Sequence, residues 1–230
     1  MDQSEIRISL KGVAEFIAAS PLRQRKTLQD QKYREKGEGK ARSMYYSDAT
    51  KAIIGYHVHH SESIALLDAA DSLAKAATEA IEANKPRRAH RLRHNERGLR
   101  AYHQLFTNET YEVLSRSRLK LIIRGVTIKA APDLLIKRAD VWTLVKLEFG
   151  KRRPTATLVS VLLEGLSRAA SSRQPPLEPH SVEVWHVPSG ERITRSAGAD
   201  PHGLDILERA CGRIAELWPA IEPPKKARAA

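Results

Sequence analysis

Residues 118–149 constrain the fold more than any other part of this chain. "RLKLIIR" alternates, with Leu119, Leu121 and Ile123 on one side. Gly125 offers a turn. "VTIKAAPDLLI" alternates again through Val126, Ile128 and Ala130, "KRAD" offers a second turn, and "VWTLVKLEF" reads as a third strand. Period-two alternation places side chains on opposite faces of a sheet, and turns this short force antiparallel neighbours. The spacing therefore predicts a three-stranded meander. After it, "TLVSVLLEGLSRAA" stacks Leu158, Leu162 and Leu166 on one side of a helix, and "SVEVWHV", "PSG" and "ERITRSA" read as strand, turn and strand. A strand–helix–strand crossover favours parallel pairing of the third and fourth strands. The expected class is α/β, a mixed central sheet with flanking helices.

The first half of the chain reads as helical. Ser9 is a candidate N-cap before Val13, Phe16 and Ile17, Ser20-Pro21 can open a second helix, and "GEGK" at 37–40 is a break. One long helix is expected from Ser47-Asp48 to about Ala83, ended by "NKP" at 84–86, and another over about 88–106. Asp200-Pro201 should open a last helix whose stripe is Leu204, Leu207, Ala210, Cys211, Ile214 and Leu217. The expected division is an N-terminal helical region at 1–110, an α/β core at 111–220 and a basic tail at 221–230.

No apolar run approaches the roughly 20 residues of a membrane span, and "MDQSEIRISLKG" has no hydrophobic signal core. The single cysteine, Cys211, leaves no disulfide within the chain and no cysteine-based zinc site. A cytoplasmic location is the expectation. The net charge is +12, and residues 105–154 supply half of it, with 11 basic and 5 acidic side chains. Such a balance points to a polyanionic partner, nucleic acid first, although a merely solvated surface reads the same way. The segment 85–100, "KPRRAHRLRHNERGLR", holds seven Lys/Arg against one Glu. On a helix Arg93, Arg97 and Arg100 share a side, partly adjoined by Arg88, Arg91 and His94, as a stripe that follows a phosphate backbone would. Arg152 and Arg153 extend the basic set beyond the third strand. Aromatics make up only 5% of the chain, too few for an expected base-stacking platform.

Pro132-Asp133 opening one strand and the pair Lys146-x-Glu148 on the next resemble the PD-(D/E)xK nuclease superfamily, in its RecB-like branch. The resemblance implies a restriction-endonuclease-like core. It implies Mg²⁺ or Mn²⁺ held by Asp133 and Glu148, with a lysine activating water, and a DNA-acting protein of repair or of defence against foreign DNA. The alternative is an inactive nuclease-like fold that binds nucleic acid or scaffolds partner proteins of a larger complex. Hydrolysis of a phosphodiester needs carboxylates to hold a hard cation, and residues i and i+2 of one strand share a face. The family order is acid-x-Lys. Here Lys146 and Glu148 stand reversed, displaced by about 6.6 Å along the strand. Lys151 just past the strand is the candidate replacement lysine, and Glu164 on the next helix a candidate migrated carboxylate. Gly55-x-x-x-His59 matches the family's upstream histidine motif, which makes His59 a candidate metal ligand. The family's Gln-x-x-x-Tyr is absent, with Thr157 and Val161 near those places. Read without the family, Asp133 is a strand-edge aspartate, Lys146 and Glu148 a cross-strand charge ladder, and His59 a helix-surface histidine.

Overall fold

The computed structural model describes residues 5–33, 45–59, 62–107, 111–114, 119–138, 140–173, 181–196 and 201–223. The expected break at 37–40, the Asp200 cap, Ala139 of the "KRAD" turn and the tail beyond 223 lie outside these residues. The chain is mixed α/β and its strands form two mixed sheets. In chain order the elements are β1 (Ile6–Ser9), α1 (Leu10–Ala18), α2 (Pro21–Lys32), α3 (Ser47–Val58), α4 (Ile64–Glu82), α5 (Pro86–Phe106), β2 (Glu112–Leu114), β3 (Leu119–Ile123), β4 (Val126–Ala130), β5 (Leu134–Arg138), β6 (Val141–Glu148), α6 (Ala156–Ser171), β7 (Ser181–His186), β8 (Glu191–Ser196) and α7 (Pro201–Leu217).

The expected meander is corrected at its middle strand. Residues 126–138 form two strands, not one, and they belong to different sheets. Proline has no N–H to give a ladder, so pairing stops at Ala131-Pro132. β4 pairs antiparallel with β3 and parallel with β1, a strand that alternation did not reveal. The β3–β4 turn is two residues, Arg124 and Gly125, with φ of 47° and 76°. Both values are left-handed, the geometry that matches the strand twist of a tight hairpin. Beyond Pro132 the Asp133 N–H donates to the Val145 carbonyl at 2.9 Å, and a new ladder of β5 on β6 begins. The large sheet runs β2-β5-β6-β7-β8. β6 and β7 pair parallel through the α6 crossover, as expected, and β7 and β8 antiparallel.

The two faces of the large sheet pack separately. Leu135, Leu144, Val182 and Val184 join α1, α6, α7 and the small sheet in one core. Leu134, Ile136, Val145, Leu147 and Trp185 join α3 and α5 in the other. α1 lies on α6, and Gly165 permits this, since a Cβ there would stand 2.3 Å from Leu10 Cδ1. The N-terminal segment is thus woven into the sheets through β1 and α1. The long helix expected over 47–83 is two: α3 closes with the His59 N–H on the Gly55 carbonyl, and α4 starts at Ile64. The N-cap holds as expected at Ser9, whose hydroxyl accepts the Gly12 N–H at 3.0 Å. No helix among the described residues is long and apolar enough to cross a membrane.

Cys211 is fully buried on α7, and burial, with Glu208 adding to it, pushes its thiol up to about 12. In the unfolded chain the same thiol ionises near its ordinary value of 9.0. The neutral thiol therefore stabilises the fold below that value, and the stability is lost as pH rises from there through the folded value. Ellman's reagent at pH 8 should label Cys211 at the rate of unfolding, and at once in denaturant. Rapid labelling of the native protein would contradict this burial.

Candidate functional site

The alternation of β6 places Trp142, Leu144, Lys146 and Glu148 on one face, as expected. The β5–β6 register, continued one residue past Leu134↔Val145, sets Asp133 across from Lys146. Both carboxylate-bearing positions therefore lie toward the same face, at the end of β6. Asp133 Oδ2 accepts the Leu147 N–H at 2.9 Å and meets Lys146 Nζ at 3.0 Å. Lys146 also donates to the Ala131 carbonyl at 3.2 Å. These bonds tie the chain shut where Pro132 interrupts the ladder.

Glu148 is 6% exposed and has a partner the sequence did not suggest. Lys11, in the first turn of α1, places Nζ 2.7 and 3.0 Å from its two carboxylate oxygens. The Ser9 cap fixes where α1 begins, and β1 fixes where that cap sits. Asp133, Lys146, Glu148 and Lys11 thus form a centre of two carboxylates and two ammonium groups, with no net charge. The other expected members are elsewhere. Lys151 is exposed past Gly150, with no ion pair to either carboxylate among the described residues. Arg152 is exposed, and Arg153 is ion-paired with Glu191. Glu164 is fully buried within α6 and bonded to Arg168 one turn on. His59 is an exposed residue at the end of α3, and α3 packs on the opposite face of the large sheet from Glu148. The histidine buried there is His57, whose Nε2 lies 2.7 Å from the Tyr102 hydroxyl. His59 therefore does not join the expected metal shell. Among the described residues no group of three or more His, Cys, Asp or Glu is placed to hold a metal ion.

The basic stripe is narrower than expected. On α5, Arg93 and Arg97 are exposed, as is His90 between them and the helix start. Arg100 is bonded to Glu96 at 2.6 Å and to Asp71 at 2.5 Å, and these bonds raise its pKa, Glu96 most. Arg91 faces Asp48 at 3.7 Å. Arg88 is exposed but stands about 180° around the helix from Arg97, nine residues at roughly 100° each. The stripe available to a polyanion is Arg93 and Arg97.

A row of rings connects this stripe with the acid–lysine centre. Gly98 of α5 lets Phe149 approach, since a Cβ there would meet Phe149 Cδ1 at 2.9 Å. Phe149 stacks on Tyr46 at 4.8 Å between centroids. Tyr45 meets Tyr46 edge-on at 5.0 Å, and its hydroxyl lies 3.0 Å from His90 Nδ1. The Tyr46 hydroxyl, pushed up mainly by burial, also feels Lys11 and Glu148. The sequence concealed this group: the overall share of aromatics is low, but folding concentrates several of them here.

The fold and site define a mixed α/β protein with an acid–lysine centre at one end of its larger sheet. No family model matches the sequence, and no curated protein matches it.

Proposed function

We propose that this is a DNA-acting protein with a degenerate restriction-endonuclease-like core, which binds the nucleic-acid backbone and leaves it uncut. The observation that carries the reading is the closure of both candidate carboxylates by lysine: Asp133 by Lys146, and Glu148 by Lys11. As arranged, this set does not fit a divalent cation. Mg²⁺ takes one or two carboxylates together with substrate phosphates, and it would have to displace two ammonium groups from a neutral centre. Arg93 and Arg97, exposed on α5, supply the positive charge for a phosphate backbone. Lys11 keeps 47% of its side chain exposed, so its amine can meet a phosphate without burial cost. Mg²⁺- or Mn²⁺-dependent hydrolysis is the second reading, favoured by the shared face of Asp133 and Glu148.

Filter binding or anisotropy on duplex DNA across a salt series tests the first reading. Arg93→Ala with Arg97→Ala should weaken binding alike on all sequences. It should also reduce the slope of log K against log salt by about 1.8, some 0.9 for each phosphate no longer neutralised. Arg100→Ala should leave the slope close to that of the parent, because Glu96 and Asp71 already hold that guanidinium. No binding at low salt, or an unchanged slope in the double variant, refutes the interface. Metal-dependent cleavage that vanishes in Asp133→Ala would put the second reading in its place.

A further inference from the structure

We propose that Tyr45, Tyr46, His90 and His94 form a platform on which unpaired nucleobases stack, so that the preferred ligand is a single strand. The inference rests on the reading of this side as a nucleic-acid interface and adds the form of the strand.

The rings form one connected wall. His90 and His94 stand one helical turn apart on α5, with centroids 4.2 Å apart. Tyr45 meets His94 edge-on at 5.6 Å and Tyr46 at 5.0 Å. Tyr45, Tyr46 and His94 are half-buried and His90 is exposed, so ring surface remains open to solvent. The wall is also held rigidly. Asn95, fully buried, donates from Nδ2 to the Tyr45 carbonyl at 2.6 Å and accepts the Ala49 N–H on Oδ1 at 2.9 Å. That one side chain pins the segment carrying both tyrosines to α5, and Phe149 backs Tyr46 from within. A ring already fixed in place loses little freedom when a ligand stacks on it.

Charge selects the ligand. Arg93 and Arg97 are exposed on the same helix as the two histidines, and the Tyr45 hydroxyl, pushed up by burial, has Arg91 close enough to oppose that shift. His94 is held toward its neutral form, by burial first and by His90 and Arg97 after it. The rings are tilted to one another, by 68° between Tyr45 and Tyr46 and 45° between His90 and His94, so each offers its own face, and a ring face beside guanidinium groups suits a base with its phosphate. The π-face of a base is presented only when the base is unpaired, and stacking platforms edged by positive charge are how single strands are held without sequence preference. A duplex offers this wall only its phosphates.

The test uses the full chain and three fluorescein-labelled probes of about equal length: an oligothymidylate, a strand of the same backbone with abasic sites, and a duplex. The parent protein should bind the oligothymidylate on the order of tenfold more tightly than the abasic strand. Tyr45→Ala should abolish that difference and leave duplex affinity within about twofold. Tyr45→Phe keeps the ring and removes only the bond to His90, so it should retain the preference, which separates stacking from loss of folding. Equal affinity of the parent for the oligothymidylate and abasic strands overturns the platform, as does an equal loss on all three probes in Tyr45→Ala. In both cases the backbone interface still stands. Failure of all three probes to bind overturns the platform and the interface together.

Discussion

Exchanging the two charges of β6, Lys146→Glu together with Glu148→Lys, should give the protein a divalent-cation site. In the parent, position 146 lies across from Asp133 and holds its carboxylate at 3.0 Å. The exchange puts a second carboxylate directly opposite Asp133, at a separation where cross-strand side chains meet. Two like charges so placed repel each other, and a hard cation relieves the repulsion. The incoming lysine at 148 would stand beside Lys11, which is then without its carboxylate partner and, being half exposed, can turn to solvent. Mn²⁺ titration, followed by the loss of the free-ion resonance signal, should show a site in the double variant and none in the parent. Asp133→Ala added to the exchange should remove it. On plasmid DNA the parent should produce no nicking with Mg²⁺, Mn²⁺ or EDTA, and the exchanged protein is the one in which cleavage should appear. If the exchange instead abolishes cleavage present in the parent, the reversed pair is a working variant and the degenerate reading is wrong. If neither protein takes Mn²⁺ or DNA, the likeness to nucleases extends no further than the strand pattern.

Trp185→Ala should destabilise the fold by about 3–5 kcal/mol, the range for removing a large aromatic from a core. Trp185 is fully buried on the face of the large sheet that packs against α5. It stacks on Phe106 at 5.0 Å and 6°, and the Arg192 guanidinium covers it at 4.8 Å. Its indole N–H donates to Glu183 Oε2 at 2.5 Å. Glu183 is only 5% exposed, so removing this donor leaves a buried carboxylate on Arg138 at 3.6 Å. Trp185→Phe, which keeps most of the stack but not the donor, should cost less, about 1–3 kcal/mol. Urea unfolding gives both values, and Trp142 and Trp218 remain as fluorescent reporters. A loss below about 1 kcal/mol in Trp185→Ala would show that this core closes around the gap and that the stack carries little.

The local elements were legible because their causes are local. Alternation over five to eight residues makes β3, β4 and β6, and the Leu158, Leu162, Leu166 spacing makes α6. The Ser9 cap and the Arg124-Gly125 turn act within three residues. The shared face of Asp133 and Glu148 followed from counting by twos once the strands were placed. The reversed order of Lys146 and Glu148 could also be read directly.

Other features needed the folded chain, because they depend on which surfaces come together. Nothing near residue 11 announces that its amine will close Glu148, 137 positions later. That ion pair exists because β1 pairs parallel with β4 and α1 then lies on α6. The sequence suggested seven basic residues along 85–100; Glu96 stands one turn before Arg100 in the same helix, but only packing against α3 and α4 brought Asp48 to Arg91 and Asp71 to Arg100 while Arg93 and Arg97 stay exposed. His59 and His57 looked alike as letters, yet the turn of α3 buried one and exposed the other. Periodicity and caps are properties of neighbours along the chain, so the sequence determined the elements. Charge pairing and ring stacking are properties of neighbours in space, so the tertiary structure decided the site.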